Sequence, residues 1–279
     1  MKIVRRILLI LVALGLAGAG WTYWTAIADP VVREAAVALD GWPEGAPPIR
    51  AVLISDVHVA GPDMPPARLA RIVARINALG PDIVLIAGDF VSDKRTSTHH
   101  YTQAEGAAPL AGLRPRLGTF AVMGNHDHWR DTDGAHRALA AAGVRLLDNQ
   151  AVSVGPLALG GLDDAFTGRD RLGPTLAAMR SLPGAHVLLS HSPDPFAALP
   201  RDGSLLMLAG HTHCGQARLP FVGAVMTLSK YGQRYACGLV REPGRTLIVT
   251  AGLGTSGLPL RLGAAPDLWL VTIGPRARR

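Results

Sequence analysis

From residue 49 onward, short apolar runs alternate with polar residues and glycines. Apolar runs of this length, bounded by Gly or Asp, are typical of strands that are buried on both faces. Each run ends next to a side chain that can bind a metal or a proton. The five runs are AVLISD ending at Asp56, IVLIAGD ending at Asp89, TFAVMGN ending at Asn125, HVLLS before His191, and LLMLAG before His211.

Helical periodicity separates the first two strands. PPARLARIVARINALG (65–80) places apolar residues at helical spacing after two prolines, and Gly80-Pro81 ends the pattern. GAHRALAAAG (134–143) and PTLAAMRSL (174–182) are further helix candidates. Strands that alternate with helices predict an α/β architecture, in which ligands gather beyond the carboxyl ends of the strands.

The first thirty residues differ from the rest in hydropathy. An uncharged stretch from Ile7 to Ala28 follows a basic start and is long enough to cross a hydrocarbon core of about 30 Å. Its far end carries Trp21, Tyr23 and Trp24, as an aromatic belt would. We expect an uncleaved anchor (1–30), a linker (31–48) and one domain (49–275). Cleavage near Ala28, after a small-x-small pattern, is the alternative.

Charge predicts the orientation of this anchor. Bases precede the span, so the N-terminus is expected in the cytoplasm and the domain on the outer side of the cytoplasmic membrane. The formal net charge is +7, but six of the 28 basic residues lie at the two ends, leaving 22 basic and 21 acidic residues in 7–275. A nearly neutral body with few aromatic residues disfavours a nucleic-acid groove. We expect Cys214 and Cys237 to be incidental thiols.

The polar strand ends together indicate a metal site. One Asp after a strand is ordinary turn chemistry, but imidazole mixed with carboxylate and amide suits Mn²⁺, Fe²⁺ or Zn²⁺. Asp56 and His58 are two residues apart, so in an extended chain both side chains point to one side. His211 and His213 have the same relation, which directs Cys214 away as a bystander.

The ordered motifs resemble a known family. DVH (56–58), GDFVSD (88–93), GNHD (124–127), SHSPD (190–194) and GHTH (210–213) are similar to the blocks of the calcineurin-like metallophosphoesterases. GHTHCGQARLP and AGLGTSGLPLRLG further resemble the membrane-anchored bacterial subgroup of YkuE- and YaeI-like phosphoesterases. The resemblance implies a four-layer α/β/β/α sandwich and a hydrolase that uses a metal-activated hydroxide.

The resemblance also implies a site for two divalent ions, in which Asp89 bridges both and offers one oxygen to each. Two such ions neutralise phosphate oxygens and lower the pKa of a water molecule. His126 would contact the phosphate and protonate the leaving oxygen, with Asp127 orienting it. The implied ligands are Asp56, His58 and His213 for the first ion, and Asn125, His191 and His211 for the second.

Other polar residues keep two interpretations. Arg218, Arg234 and Arg261 are candidates to hold a second phosphate or an anionic head group, with solvated arginines as the alternative. Asp163-Asp164 is either a turn or a substrate contact. Ser92-Asp93-Lys94-Arg95 departs from the protein phosphatases, and Asp93 is expected out of register for the family's supporting aspartate. Surface or loop positions are expected for His99, His100, His128, His136 and His186.

The substrate is expected to be a phosphodiester, a phosphomonoester or a pyrophosphate. The membrane tether favours a lipid-linked molecule. A non-catalytic binding module of the same fold and a nuclease are the alternatives. An intact ligand set argues against the first, and the neutral body argues against the second.

Overall fold

The computed structural model describes residues 1–201 and 203–276. Two six-stranded sheets pack face to face, with helices on their outer faces. The first sheet has the order β1-β14-β2-β3-β4-β5, with β1 (Val31–Leu39), β2 (Ile49–Ile54), β3 (Ile83–Ile86), β4 (Thr119–Ala121), β5 (Val144–Leu146) and β14 (Asp267–Pro275). The second has the order β12-β13-β9-β8-β7-β6, with β6 (Gln150–Val154), β7 (Leu157–Gly161), β8 (Ala185–Leu189), β9 (Leu205–Ala209), β12 (Gly238–Glu242) and β13 (Arg245–Val249).

The helices include the three that the periodicity predicts. A short hairpin outside both sheets pairs β10 (Arg218–Leu219) with β11 (Gly223–Ala224). The helices are α1 (Lys2–Ile27), α2 (Pro66–Ala78), α3 (Gln103–Ala107), α4 (Asn125–Arg130), α5 (Thr132–Ala141) and α6 (Leu172–Arg180). The candidates at 65–80, 134–143 and 174–182 correspond to α2, α5 and α6.

Side-chain alternation along β2 explains the four layers. Ala51 and Leu53 point into the core between the two sheets, whereas Val52 and Ile54 point into the core beneath α2. Along β9, side chains likewise point alternately into the inter-sheet core and into the core beneath α6. The five predicted strands are therefore buried on both faces, and the predicted α/β/β/α sandwich is confirmed.

The expected linker at 31–48 is wrong for its first half. Residues 31–39 form β1, which pairs in parallel with β14 over nine residues and extends the first sheet at its edge. Val37 and Leu39 are buried in the inter-sheet core, which gives this segment a reason to fold onto the sheet. Because β14 comes from the far end of the chain, local sequence does not reveal the pairing.

Helix α1 has 26 residues and is apolar enough to cross a membrane. Its last turn packs against the sandwich, where Ala26 is fully buried. The backbone N–H of Arg261 donates to Thr22 O at 2.9 Å, and Arg68 Nη2 donates to Ala28 O at 2.6 Å. Only residues 28–30 separate α1 from β1, so the domain is held close to the end of this helix.

Candidate metal centre

The polar residues predicted at five strand ends meet at one edge of the sandwich. Strands β2, β3 and β4 of the first sheet and β8 and β9 of the second sheet end there. All seven predicted ligand side chains lie together in this place, and all are buried. They are Asp56, His58, Asp89, Asn125, His191, His211 and His213.

The first cluster joins the ends of β2 and β9. His213 Nε2 lies 3.2 Å from His58 Nε2 and 3.4 Å from Asp56 Oδ1. His58 Nε2 is also 3.5 Å from Asp89 Oδ2. These three residues, Asp56, His58 and His213, form one of the groups that could hold a metal ion.

The second cluster lies on the other side of Asp89. His191 Nε2 is 3.1 Å from Asn125 Oδ1, 3.1 Å from His211 Nδ1 and 3.3 Å from Asp89 Oδ2. His191 Nδ1 donates to Ala87 O at 2.6 Å, which leaves Nε2 facing the cluster.

One oxygen of Asp89 therefore faces both clusters. The expectation that Asp89 offers one oxygen to each ion stays a prediction. Its Oδ1 accepts the backbone N–H of His126 at 3.0 Å and keeps a second lone pair, and this bond joins the loop after β3 to the start of α4.

The chemistry of these side chains fits a bound cation. Asp56 Oδ1 and His211 Nε2 are buried without a hydrogen-bond partner. Buried acceptors without donors are costly unless a cation occupies the space between them. Burial, with nearby positive charge, lowers the pKa of His58 and His213 far below the usual value and that of His211 to about 4. These imidazoles are thus neutral, as metal ligands must be.

His191 has the opposite tendency. Burial lowers its pKa, but the carboxylate of Asp89 outweighs burial and raises the pKa of His191 well above the usual value. A proton on His191 supplies positive charge beside Asp89, a role that a divalent cation would take over. Metal binding is therefore expected to release a proton here.

The ligand loops are left-handed rather than extended. Positive φ angles occur at five of the seven positions, so the argument from extended i, i+2 spacing used the wrong conformation. Non-glycine residues adopt this region at a cost of about 1–3 kcal/mol and do so mainly at functional sites. The side chains converge because each loop turns sharply beyond its strand. The five are Asp56, His58, Asp89, His211 and His213.

Glycines permit the close approach of these loops. Gly210, before His211, lies against Ser55 and Asp56, and a Cβ there would overlap Ser55 Oγ and Asp56 Oδ2. Gly88 has a φ of +83° and packs on the backbone of Gly124. These two glycines are thus required because the loop after β9 packs on the loop after β2, and the loop after β3 packs on the loop after β4.

His126 is oriented by Asp93, not by Asp127. His126 Nδ1 lies 2.5 Å from Asp93 Oδ1 in the partly exposed mouth of the site. The expected misregister of Asp93 is therefore wrong, because the loop after β3 carries it back over α4. Asp127 is buried and accepts backbone N–H groups of Asp89, Phe90 and Gly124, which ties α4 to the β3 loop.

An aromatic wall faces the two clusters, and its members were not predicted from the sequence. The Phe166 ring centroid lies 4.6 Å from that of His211, and Trp129 lies 5.0 Å from His126. The Asp163-Asp164 segment is a turn, in which Asp164 accepts the N–H of Phe166 at 3.1 Å and holds that ring toward the site. The one feature of the sequence that could have indicated Trp129 and Phe166 as site residues is that they follow the GNHD and GLDD segments closely.

The expectation of a surface or loop position for His128 is wrong. Its side chain is nearly buried, and its Nε2 lies 2.6 Å from Asp163 Oδ1, which joins α4 to the turn that carries Phe166. His99 and His100 are exposed, and His136 and His186 are partly buried.

The structure does not gather the three candidate arginines at the clusters. Arg261 is fully buried, and its guanidinium donates to carbonyl groups, including Ala251 O at 2.7 Å. Its Nη2 is 3.4 Å from His213 Nδ1, so it lies behind the ligand rather than in the open site. Arg234 pairs with Glu242 at 2.6 Å on the surface, and Arg218 lies on β10.

Cys214 and Cys237 form a disulfide, so the expectation of incidental thiols is wrong. A hydrogen bond of 2.7 Å from Thr212 Oγ1 to Ala236 O brings together the two segments that carry them. This contact joins residues far apart in sequence, which composition could not reveal. Cys214 is consequently not free to bind a metal, in agreement with its predicted bystander position.

Fold and site define a metal-dependent phosphoesterase. The family model described as calcineurin-like phosphoesterase matches residues 49–215, and the chain belongs to this family. Family and enzyme class were both predicted from the sequence and are confirmed.

Three relatives illustrate this similarity. The chain is 30% identical over 237 residues to the phosphodiesterase YaeI of Escherichia coli (strain K12), covering 82% of this chain and 84% of that protein. It is 29% identical over 238 residues to the metallophosphoesterase YkuE of Bacillus subtilis (strain 168), covering 83% and 81%. It is 31% identical over 256 residues to a zebrafish (Danio rerio) transmembrane protein with metallophosphoesterase domain, covering 86% of this chain but only 56% of the relative.

Proposed function

We propose that this chain hydrolyses phosphate esters with two divalent cations bound side by side. One observation carries the proposal: seven buried side chains with metal-ligating groups converge from five strand ends, and Asp89 Oδ2 lies within 3.5 Å of His58 on one side and 3.3 Å of His191 on the other. One cation would be held by Asp56, His58, His213 and Asp89, and the other by Asn125, His191, His211 and Asp89. The residues favour Mn²⁺, Fe²⁺ or Zn²⁺, which accept mixed imidazole and carboxylate ligands.

Two bound cations would neutralise phosphate oxygens and lower the pKa of a water molecule. The chain itself supplies positioning and proton transfer. Asp93 accepts the Nδ1 proton of His126, which leaves Nε2 to give a proton to the leaving oxygen. The neighbouring ring of Trp129 limits the movement of His126, and Phe166 closes the side next to His211.

A phosphodiester is the first substrate to test, because the relative YaeI is named a phosphodiesterase. The purified full chain, reloaded with Mn²⁺ or Zn²⁺, should cleave bis(p-nitrophenyl) phosphate, with p-nitrophenyl phosphate and pyrophosphate as comparison substrates. Asp89→Asn should remove both activity and bound metal, whereas the matched control Asp133→Asn, on the exposed first turn of α5, should retain both. Full activity of purified Asp89→Asn would contradict the proposal. Binding without turnover would support a non-catalytic module instead.

We further propose that α1 anchors the domain on the outer face of the cytoplasmic membrane. The basic residues before the span support this orientation, and the Cys214–Cys237 disulfide supports an oxidising compartment. The contacts of Thr22 and Ala28 with the sandwich support a retained helix over cleavage near Ala28. Intact-mass analysis of the membrane-extracted protein tests cleavage. Protease accessibility in spheroplasts tests orientation, and protection of the domain would refute it.

A further inference from the structure

A single cavity joins the metal centre to the end of the membrane helix. Its volume is about 710 Å³, and its lining includes both Asp89, His126 and His211 of the metal centre and Thr22 of α1. The rest of the lining is mainly apolar and includes Val225, Met226, Leu228, Leu258, Leu260 and Leu262.

The rim of this cavity exposes large apolar side chains. Among the residues that line it, Val225, Met226 and Leu258 are 61%, 63% and 55% exposed. Phe221, which does not line the cavity, lies fully in solvent at the tip of the β10–β11 hairpin. Scattered apolar residues are common on surfaces, but a continuous apolar rim around a cavity marks a site for an apolar partner. The small polar substrates of a soluble hydrolase would not need such a wall.

The rim is continuous with the membrane-spanning segment. Thr22, which lines the cavity, follows Trp21 in the aromatic cluster expected at the membrane interface. Arg261 N–H donates to Thr22 O, so the segment that carries Leu260 and Leu262 is fixed to α1 at this depth. The short connection between α1 and β1 prevents the rim from moving far from the bilayer surface.

We propose that this apolar cavity receives the hydrocarbon part of a bilayer lipid whose phosphoester reaches the metal centre, with the rim lying against the membrane. The inference rests on the proposed phosphoesterase function and names its substrate class. An amphiphile matches the cavity because its lining combines the polar side chains of Asp89, Asn125 and His126 with a set of leucines. The lipid would enter from the bilayer between α1 and the β10–β11 hairpin.

The test compares two substrates that differ only in chain length. Full-length protein in phosphatidylcholine vesicles is given p-nitrophenyl hexadecyl phosphate or p-nitrophenyl methyl phosphate, with release of p-nitrophenolate as the readout. Met226→Asp places a charge on the cavity wall, Met226→Leu keeps the wall apolar, and Ser153→Asp adds the same charge on exposed β6.

Met226→Asp should lower the ratio of kcat/KM for the hexadecyl over the methyl ester by about tenfold, since losing contact with only a few CH₂ groups has this effect. Met226→Leu and Ser153→Asp should keep the wild-type ratio. If Met226→Asp kept the wild-type ratio of kcat/KM for the two esters, the inference would be overturned. Any preference for the hexadecyl ester would then come from its partitioning into the vesicles and not from contact with the cavity wall. Cleavage of neither ester by the wild type with Mn²⁺ or Zn²⁺ would instead contradict the proposed function itself.

Discussion

Replacing Asp93 with Asn tests whether the His126–Asp93 pair serves proton transfer to the leaving group. Asp93 Oδ1 lies 2.5 Å from His126 Nδ1, and the two side chains are 38% and 17% exposed. Charge-assisted hydrogen bonds contribute about 1.5–3 kcal/mol, and partial exposure places this one near the lower end. A loss of about 1.5 kcal/mol corresponds to a roughly tenfold lower kcat when proton transfer limits the reaction.

The leaving group provides the assay. A p-nitrophenolate leaves readily without a proton, whereas an alkoxide needs one. Asp93→Asn should therefore slow the release of methanol from dimethyl phosphate more than the release of p-nitrophenolate from p-nitrophenyl methyl phosphate. His126→Gln should show the same selectivity with a larger loss. Equal slowing of both leaving groups would refute the role of this pair in proton transfer.

Asp163→Asn is the matched control for this experiment. Asp163 pairs with His128 at 2.6 Å, and His128 lies two residues beyond His126 on α4, so the substitution makes the same chemical change at a buried pair. It should alter stability without discriminating between leaving groups. Leaving-group selectivity in Asp163→Asn as well would indicate that α4 transmits a general disturbance to the site.

Three further predictions follow from individual contacts. Dialysis against a chelator should abolish the phosphoesterase activity of the wild type, and added Mn²⁺ or Zn²⁺ should restore it. The Asp89→Asn variant should gain no activity from the added metal. Activity of that variant after metal addition would exclude a bridging role for Asp89. Reduction of the Cys214–Cys237 disulfide, whose cysteines are 23 residues apart, should lower the free energy of unfolding by about 3 kcal/mol. Urea denaturation with and without reductant measures this change, and an unchanged midpoint would show that the disulfide does not stabilise the fold. Lys94→Met should destabilise by about 3 kcal/mol, because buried Asp63 loses its cation and keeps only the hydrogen bond from Thr255 Oγ1. Lys94→Met with Asp63→Leu should recover part of that loss, and identical melting of the single and double variants would exclude a stabilising pair.

Much of the fold could be predicted from local patterns. Strands β2, β3, β4, β8 and β9 were recognisable because burial on both faces requires continuous apolar runs, and α2 because its apolar residues recur with helical spacing. The edge strand β1 was missed, since its alternation is weak and its partner β14 lies at the other end of the chain. Pairing between distant segments is decided by the assembled sheet.

The identity of the polar groups at the strand ends was determined by the sequence alone, because ligand types and their order along the chain are properties of the chain. Tertiary structure decided how they meet. Left-handed loops, rather than extended ones, direct Asp56 and His58 toward His213. They also place Asp89 Oδ2 within 3.5 Å of both His58 Nε2 and His191 Nε2. The pairing of Asp93 with His126 also depends on two loops packing together. Such contacts join segments that no local pattern relates, so only the packed sandwich could define them.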